Sequence, residues 1–258
     1  MAEPFVPLTN DQRSALLGLL TSLAAEDWAR PTACRGWPVH DVVAHLVEVE
    51  LLFGRVYRGE LNGITREDAD QQAGVDRWAQ ADGETLRFSL WHHGSATQRV
   101  IDSRSDESWS RDVTIFERPA QLRDVLGRHL FDLALHSLDV SAALGTPTLW
   151  GDRVRSIVEW SVRGAPDSLA ARTTSGSSLP DAVRVDVEGA GAWTIENRAG
   201  SWQLGGSGAS LAWITDPETL VLATTGRLEP AAAIERSKVE GDPASLAELI
   251  AAWQVKSG

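Results

Sequence analysis

Residues 128–139 read RHLFDLALHSLD, and no other stretch narrows the choice of fold as much. A run this rich in Leu, Ala and Phe predicts a buried helix, yet it carries His129, Asp132, His136 and Asp139. At 3.6 residues per turn, those positions fall on one strip covering roughly a quarter of the helix circumference. Leu122, Val125, Leu126, Leu133, Val140 and Ala143 lie on or beside the same strip, so the polar groups sit among apolar side chains rather than in water. Buried imidazoles and carboxylates require partners, and the rest of the chain must supply them.

Three further helices precede this one. Thr9 or Asn10 can cap a helix over residues 11–28, which the Pro and Gly of RPTACRGWP then end. A second, over 39–59, opens after Pro38 and lines up Val42, Val49, Leu52 and Val56 with His45 inside that face. A polar region, 61–76, leads to a third over 77–104, and the fourth spans 118–145 with Gly145 as its stop. Four such helices predict an all-α four-helix bundle.

Past Gly145 the pattern changes, and TPTLWG marks a boundary between a first domain, 1–148, and a second, 149–258. The second opens with a helix over 152–164 and a Ser/Gly-rich connector over 172–182. Alternating runs VRVDVEG, AWTIENR and SLAWIT follow as antiparallel strands. Helices begun by Asp-Pro at 216 and 242 flank a further strand within AIERSKVEG. This half is predicted to be α+β with an antiparallel sheet.

Composition removes several classes of function. With 36 acidic against 24 basic side chains and a net charge of −12, the chain repels nucleic acid. The single cysteine, Cys34, excludes an internal disulfide framework. Charges break every apolar run before it reaches a membrane span, and MAEPFVPLTN lacks the pattern of a secretion signal. A cytoplasmic protein acting on small molecules is expected.

By periodicity His45, Asp132 and His136 all point toward the apolar sides of their helices. An Asp and a His at i and i+4 place two metal ligands one turn apart, and a histidine from a facing helix completes a corner of three. Such a corner leaves one position open, as in catalytic zinc sites. The same Asp-His spacing also serves as a plain helix-stabilising pair. Asp41 with His45, followed by Glu48, allows a two-metal carboxylate site, and two histidines with one carboxylate could equally hold ferrous iron. His129 reads as a polar cap over the site or a substitute ligand. A non-catalytic module remains open too, with Trp193, Trp202 and Trp213 lining a cavity or simply forming core.

The stretch LAAEDWARPTACRGWPVHDVVAHLVEVE, with HLFDLALHSLDVSAALG some eighty residues later, resembles the N-terminal domain of the mycothiol-dependent maleylpyruvate isomerase family. That family is one of the DinB-like metal-binding four-helix bundles. ITDPETLVLATTGRLEP and VEGDPASLAELIAAW resemble its second domain, which is similar to sterol-carrier proteins. The resemblance implies zinc held by His45, Asp132 and His136. It departs from the family at Asp132, where glutamate is usual. It also implies a catalytic arginine from the second domain, best matched by Arg227 in TTGR, a residue that equally reads as a solvated cation at a helix end. Asp139, in the family's His-x-x-Asp pattern, is implied to orient a helix or a ligand histidine. The implied thiol is mycothiol, a small actinobacterial cofactor, so Cys34 need not supply the sulfur. The activity implied is thiol addition to an electrophilic small molecule, ending either in cis-trans isomerisation of an unsaturated acid or in S-transfer.

Overall fold

The computed structural model describes residues 4–65, 71–172, 179–206 and 208–254. The chain divides into two compact units, Met1–Arg153 and Val154–Gly258.

The first unit is built on four long helices: α1 (Phe5–Thr21), α2 (Val39–Arg58), α4 (Gly83–Asp102) and α5 (Leu122–Leu144), with a short α3 (Gln71–Arg77) between the second and third. Helix α5 is the axis of the bundle. Every residue from His129 to Ser141 on it is buried, because α1 and α2 pack on it from two sides and Trp150 donates its indole N–H to the carbonyl of Ala134 at 3.0 Å. Leu16, Val43, Leu46, Leu86, Leu90, Leu133 and Val140 form one layer of core, and Phe53, Tyr57, Trp109, Leu122 and Leu126 the next. Burying each such side chain contributes about 1.5–3 kcal/mol.

Helix boundaries differ from expectation for identifiable reasons. Helix α1 starts at Phe5, not after Thr9 or Asn10; Thr9 is fully buried and returns its hydroxyl to the carbonyl of Phe5 at 2.8 Å, an intrahelical bond that replaces capping. It stops at Thr21, and Ala25–Ala29 forms a separate 3-10 turn. The helix expected over 77–104 is α4 alone, capped by Asp82, whose carboxylate accepts the Thr85 N–H at 2.8 Å. Residues 118–121 are not helical. They form β3 (Arg118–Gln121), which pairs antiparallel with β2 (Asp112–Ile115), and β2 in turn pairs in parallel with β1 (Gly63–Ile64). The all-α expectation is corrected by this small sheet. Its hairpin turns on Phe116 and Glu117, both at positive φ, a conformation that bulky residues hold only when their surroundings impose it.

In the second unit, α6 (Val154–Arg163) and α7 (Ala165–Arg172) precede β4 (Ala182–Val187), β5 (Gly191–Arg198), β6 (Ser201–Leu204) and β7 (Leu211–Thr215). Then come α8 (Pro217–Thr224), α9 (Pro230–Glu235), β8 (Lys238–Glu240) and α10 (Pro243–Trp253). Residues 173–178 of the Ser/Gly-rich connector lie outside the described residues. The sheet runs β6-β5-β4-β7-β8. Its hairpins are antiparallel, but β4 and β7 pair in parallel, so the sheet is mixed and not purely antiparallel. Val183, Val185 and Val187 alternate inward against the helices while Arg184 and Asp186 face outward as an ion pair at 2.6 Å. Asp216 and Asp242 cap α8 and α10 as the Asp-Pro pattern predicts. Trp213 packs against Trp253 at 6.4 Å, and with Trp202 both belong to the core. Among the described residues no helix is long and apolar enough to cross a membrane.

Candidate functional site

The polar strip of α5 divides into two groups. At its N-terminal end His129 enters a network that ties the four bundle helices together. Arg13 of α1 donates to both carboxylate oxygens of Glu50 on α2, at 2.6 and 3.3 Å, and to Gln98 of α4 at 3.1 Å. His129 Nε2 lies 3.2 Å from Glu50 Oε1, its Nδ1 lies 3.3 Å from the Tyr57 hydroxyl, and its ring stacks on Phe53 at 4.6 Å. Glu50, Tyr57 and His129 are fully buried. Burial alone would push the Glu50 carboxyl up; the charges of Arg13 and His129, with their hydrogen bonds, more than offset this and hold it at about 2, against an ordinary 4.5. Burial, with Glu50 nearby, pushes Tyr57 well above its ordinary range, so it stays a neutral phenol.

The depressed value gives stability a pH dependence. A carboxyl that is more acidic folded than unfolded stabilises the fold above its unfolded value and loses that contribution as the pH falls through the folded one. Unfolding free energy should therefore be level for this group above pH 4.5 and decline between 4.5 and about 2, by roughly 3 kcal/mol. Urea titrations across that range check it, and Glu50→Gln should flatten the decline.

The second group lies one and two turns further along α5. His136 meets His45 of α2 edge to face, with ring centroids 4.7 Å apart, and Trp37 lies 5.3 Å beyond His45. Both histidines are more than nine-tenths buried, as is Asp132. Asp132 gives its carboxylate to Arg128 one turn back, at 2.9 and 3.0 Å. Arg128 also lies 5.9 Å from the ring of Phe116 at the strained hairpin tip. On its other side His136 presents Nδ1 to Asp139 Oδ2 at 3.0 Å, and Cys34 donates its thiol to the same oxygen at 3.1 Å.

The turn that holds Cys34 is set by its own sequence. Thr32 accepts the Cys34 N–H with its hydroxyl and donates to the Trp37 carbonyl, and Trp37 N–H returns to the Cys34 carbonyl. Gly36 at positive φ closes the loop, and Pro38 starts α2. Among the described residues, Cys34, His136 and Asp139 are the group whose ligand atoms all lie within 4.8 Å of one another, close enough to hold a metal.

Of the residues singled out from the sequence, then, His45 and His136 are brought together. Asp132 is adjacent on α5 but turned to Arg128. Arg227 belongs to the second unit, in the turn that follows α8 at Gly226. Glu48, considered for a two-metal site, instead binds Arg77 and the Trp78 indole and fastens the end of α3 to α2. Sequence reading missed three participants. Arg128 was signalled by its i,i+4 spacing to Asp132, whereas Glu50 and Arg13 carry no local signal, since they meet only in the folded bundle.

Two solved structures share the architecture. The crystal structure of the mycothiol-dependent maleylpyruvate isomerase is similar with a TM-score of 0.63 and 14% identity, over 88% of this chain and 90% of that one. A histidine-to-alanine variant of that enzyme gives 0.61 and 13% over 93% and 92%. No curated protein matches. The mycothiol maleylpyruvate isomerase N-terminal domain matches residues 9–141, more than half of the chain, and the chain belongs to that family.

Proposed function

We propose that the protein is a zinc-dependent enzyme that uses mycothiol against an electrophilic small molecule, as a cis-trans isomerase of an unsaturated acid or as an S-transferase. The observation that carries this reading is the buried apposition of His45 and His136 from facing helices in a chain of this family. The donor set suits zinc: two imidazoles with Asp132 one turn away on α5, and no fourth side chain required if one position is to stay open. Zinc, when bound, supplies stabilisation of a thiolate at neutral pH.

The remaining work falls to the protein's own groups. The bundle core excludes water around the two histidines, which strengthens every charge interaction there. Arg128, held beside Asp132, keeps a positive charge next to the place where an anionic substrate would bind. Arg227 is assigned to a substrate carboxylate or the negative charge that develops on it during thiol addition. Isomerisation would regenerate the thiol and S-transfer would consume it. The acidic surface, with a net charge of −12, disfavours nucleic acid as a partner, and a cytoplasmic setting matches the thiol chemistry.

Protein purified without chelator should carry close to one equivalent of zinc. Adding mycothiol should raise its thermal midpoint, and the zinc form with mycothiol should isomerise maleylpyruvate or conjugate a halogenated or epoxide electrophile. A protein free of metal and indifferent to mycothiol would instead be a small-ligand module.

A further inference from the structure

We propose that Asp139 is a positioning residue for His136, with the Cys34 thiol as its hydrogen-bond donor, so that a cation binds the opposite ring nitrogen and not the Cys34–His136–Asp139 group itself. The inference rests on the zinc reading above and assigns a role to three residues it leaves without one.

The argument begins with the contacts. Asp139 is fully buried, and one of its oxygens receives both the His136 Nδ1 contact at 3.0 Å and the Cys34 thiol at 3.1 Å. A carboxylate only accepts, so the proton between Asp139 and His136 belongs to Nδ1. That fixes the tautomer and leaves the lone pair on Nε2, the atom on the other side of the ring. Imidazole metal ligands are commonly held in this way by a carboxylate on the far nitrogen.

Spacing argues against the alternative. Zinc at ordinary bond lengths in a tetrahedron keeps N and O ligand atoms about 3.3 Å apart and S and O ligand atoms about 3.5 Å apart. The separations of 3.0 Å for His136–Asp139 and 3.1 Å for Cys34–Asp139 are shorter than either, and they are ordinary lengths for charge-assisted hydrogen bonds. A metal placed among the three would also have to displace both of those bonds. His45, by contrast, meets His136 from α2, so a second imidazole is already beside the ring whose Nε2 is free of Asp139.

The placement of Cys34 follows from the same geometry. It is half-buried in the turn built by Thr32, Gly36 and Trp37, and its thiol supplies the second donor to an oxygen that burial has stripped of water. Its role is to keep Asp139 facing His136.

Zinc affinity measured by competition with a chromophoric chelator tests the proposal. Asp139→Ala should weaken zinc binding about 10- to 100-fold, Asp139→Asn, which keeps a carbonyl acceptor, should lie between it and the native protein, and Cys34→Ala should cost less than about tenfold. The cobalt form of the unaltered protein, free of added thiol, should show no thiolate charge-transfer band, a readout that needs no variant to fold. An unchanged zinc affinity in Asp139→Ala would overturn the proposal. So would a charge-transfer band that disappears in Cys34→Ala, which would make Cys34 a ligand. Zinc binding that depends on His45 and His136 but ignores Asp139 removes this inference alone. Failure of the native protein to bind zinc removes it together with the zinc reading, while the predicted affinities without any response to mycothiol support it and remove only the thiol chemistry.

Discussion

Replacing Glu50 with alanine should cost about 3–5 kcal/mol of stability, a large part of the roughly 5–15 kcal/mol that holds a typical domain folded. The reason is the group left behind. Arg13 is only 3% exposed and spends two of its three donor contacts on Glu50; without that carboxylate a guanidinium remains buried among Leu16, Leu90 and the α4 backbone at Gly94, with Gln98 as its printed neutral partner. Glu50→Gln keeps the shape and loses the charge, and should fall between. Changing both partners together, Arg13→Met with Glu50→Leu, removes both charges at once and should recover at least half of the loss, because a buried ion pair is seldom better than well-packed apolar side chains. Urea midpoints of the three variants are the measurement. A single Glu50→Ala variant within about 1 kcal/mol of the parent would show that Arg13 escapes to solvent, where an ion pair is worth that little.

That network marks the limit of what the sequence alone discloses. The polar strip on α5 was readable because a helix repeats every 3.6 residues, and the repeat places His129, Asp132, His136 and Asp139 without knowledge of any neighbour. Their partners were not readable in the same way. Glu50 and His129 are separated by 79 positions, as are no two residues that local pattern relates, and their meeting depends on how α2 crosses α5. His45 was legible because it interrupts an apolar face, whereas Glu50 lies on α2 among residues whose own pattern made Glu48 the more obvious carboxylate. In the second unit, alternation in VRVDVEG and SLAWIT identified strands correctly, but alternation is identical in parallel and antiparallel pairs, and the parallel β4–β7 pairing is a property of the connection and not of either strand. The hairpin of β2 and β3 was hidden for another reason: Phe116 and Glu117 stand where glycine or asparagine would have announced the turn.

The largest effect on function should come from His45→Ala and His136→Ala. Each removes one of two imidazoles that meet inside the bundle at 4.7 Å, and neither has a neighbouring group of the same chemistry to replace it; zinc affinity should fall by more than about 100-fold, beyond the range seen for outer-shell changes. The consequence for stability follows by linkage. Zinc supplied at one hundred times its dissociation constant stabilises the native protein by about 2.7 kcal/mol, and a 100-fold weaker site under the same conditions retains only about 0.4 kcal/mol, so the zinc-dependent rise in thermal midpoint should nearly vanish, and with it any response to mycothiol. Asp132→Ala should be milder than either histidine variant, because the native carboxylate already answers to Arg128 at 2.9 and 3.0 Å and must divide itself between that cation and a metal. By the same reasoning Arg128→Gln should raise zinc affinity by freeing Asp132. A histidine variant that keeps its zinc, its thermal response and its turnover would place the metal elsewhere in the chain and end the case for thiol chemistry between α2 and α5.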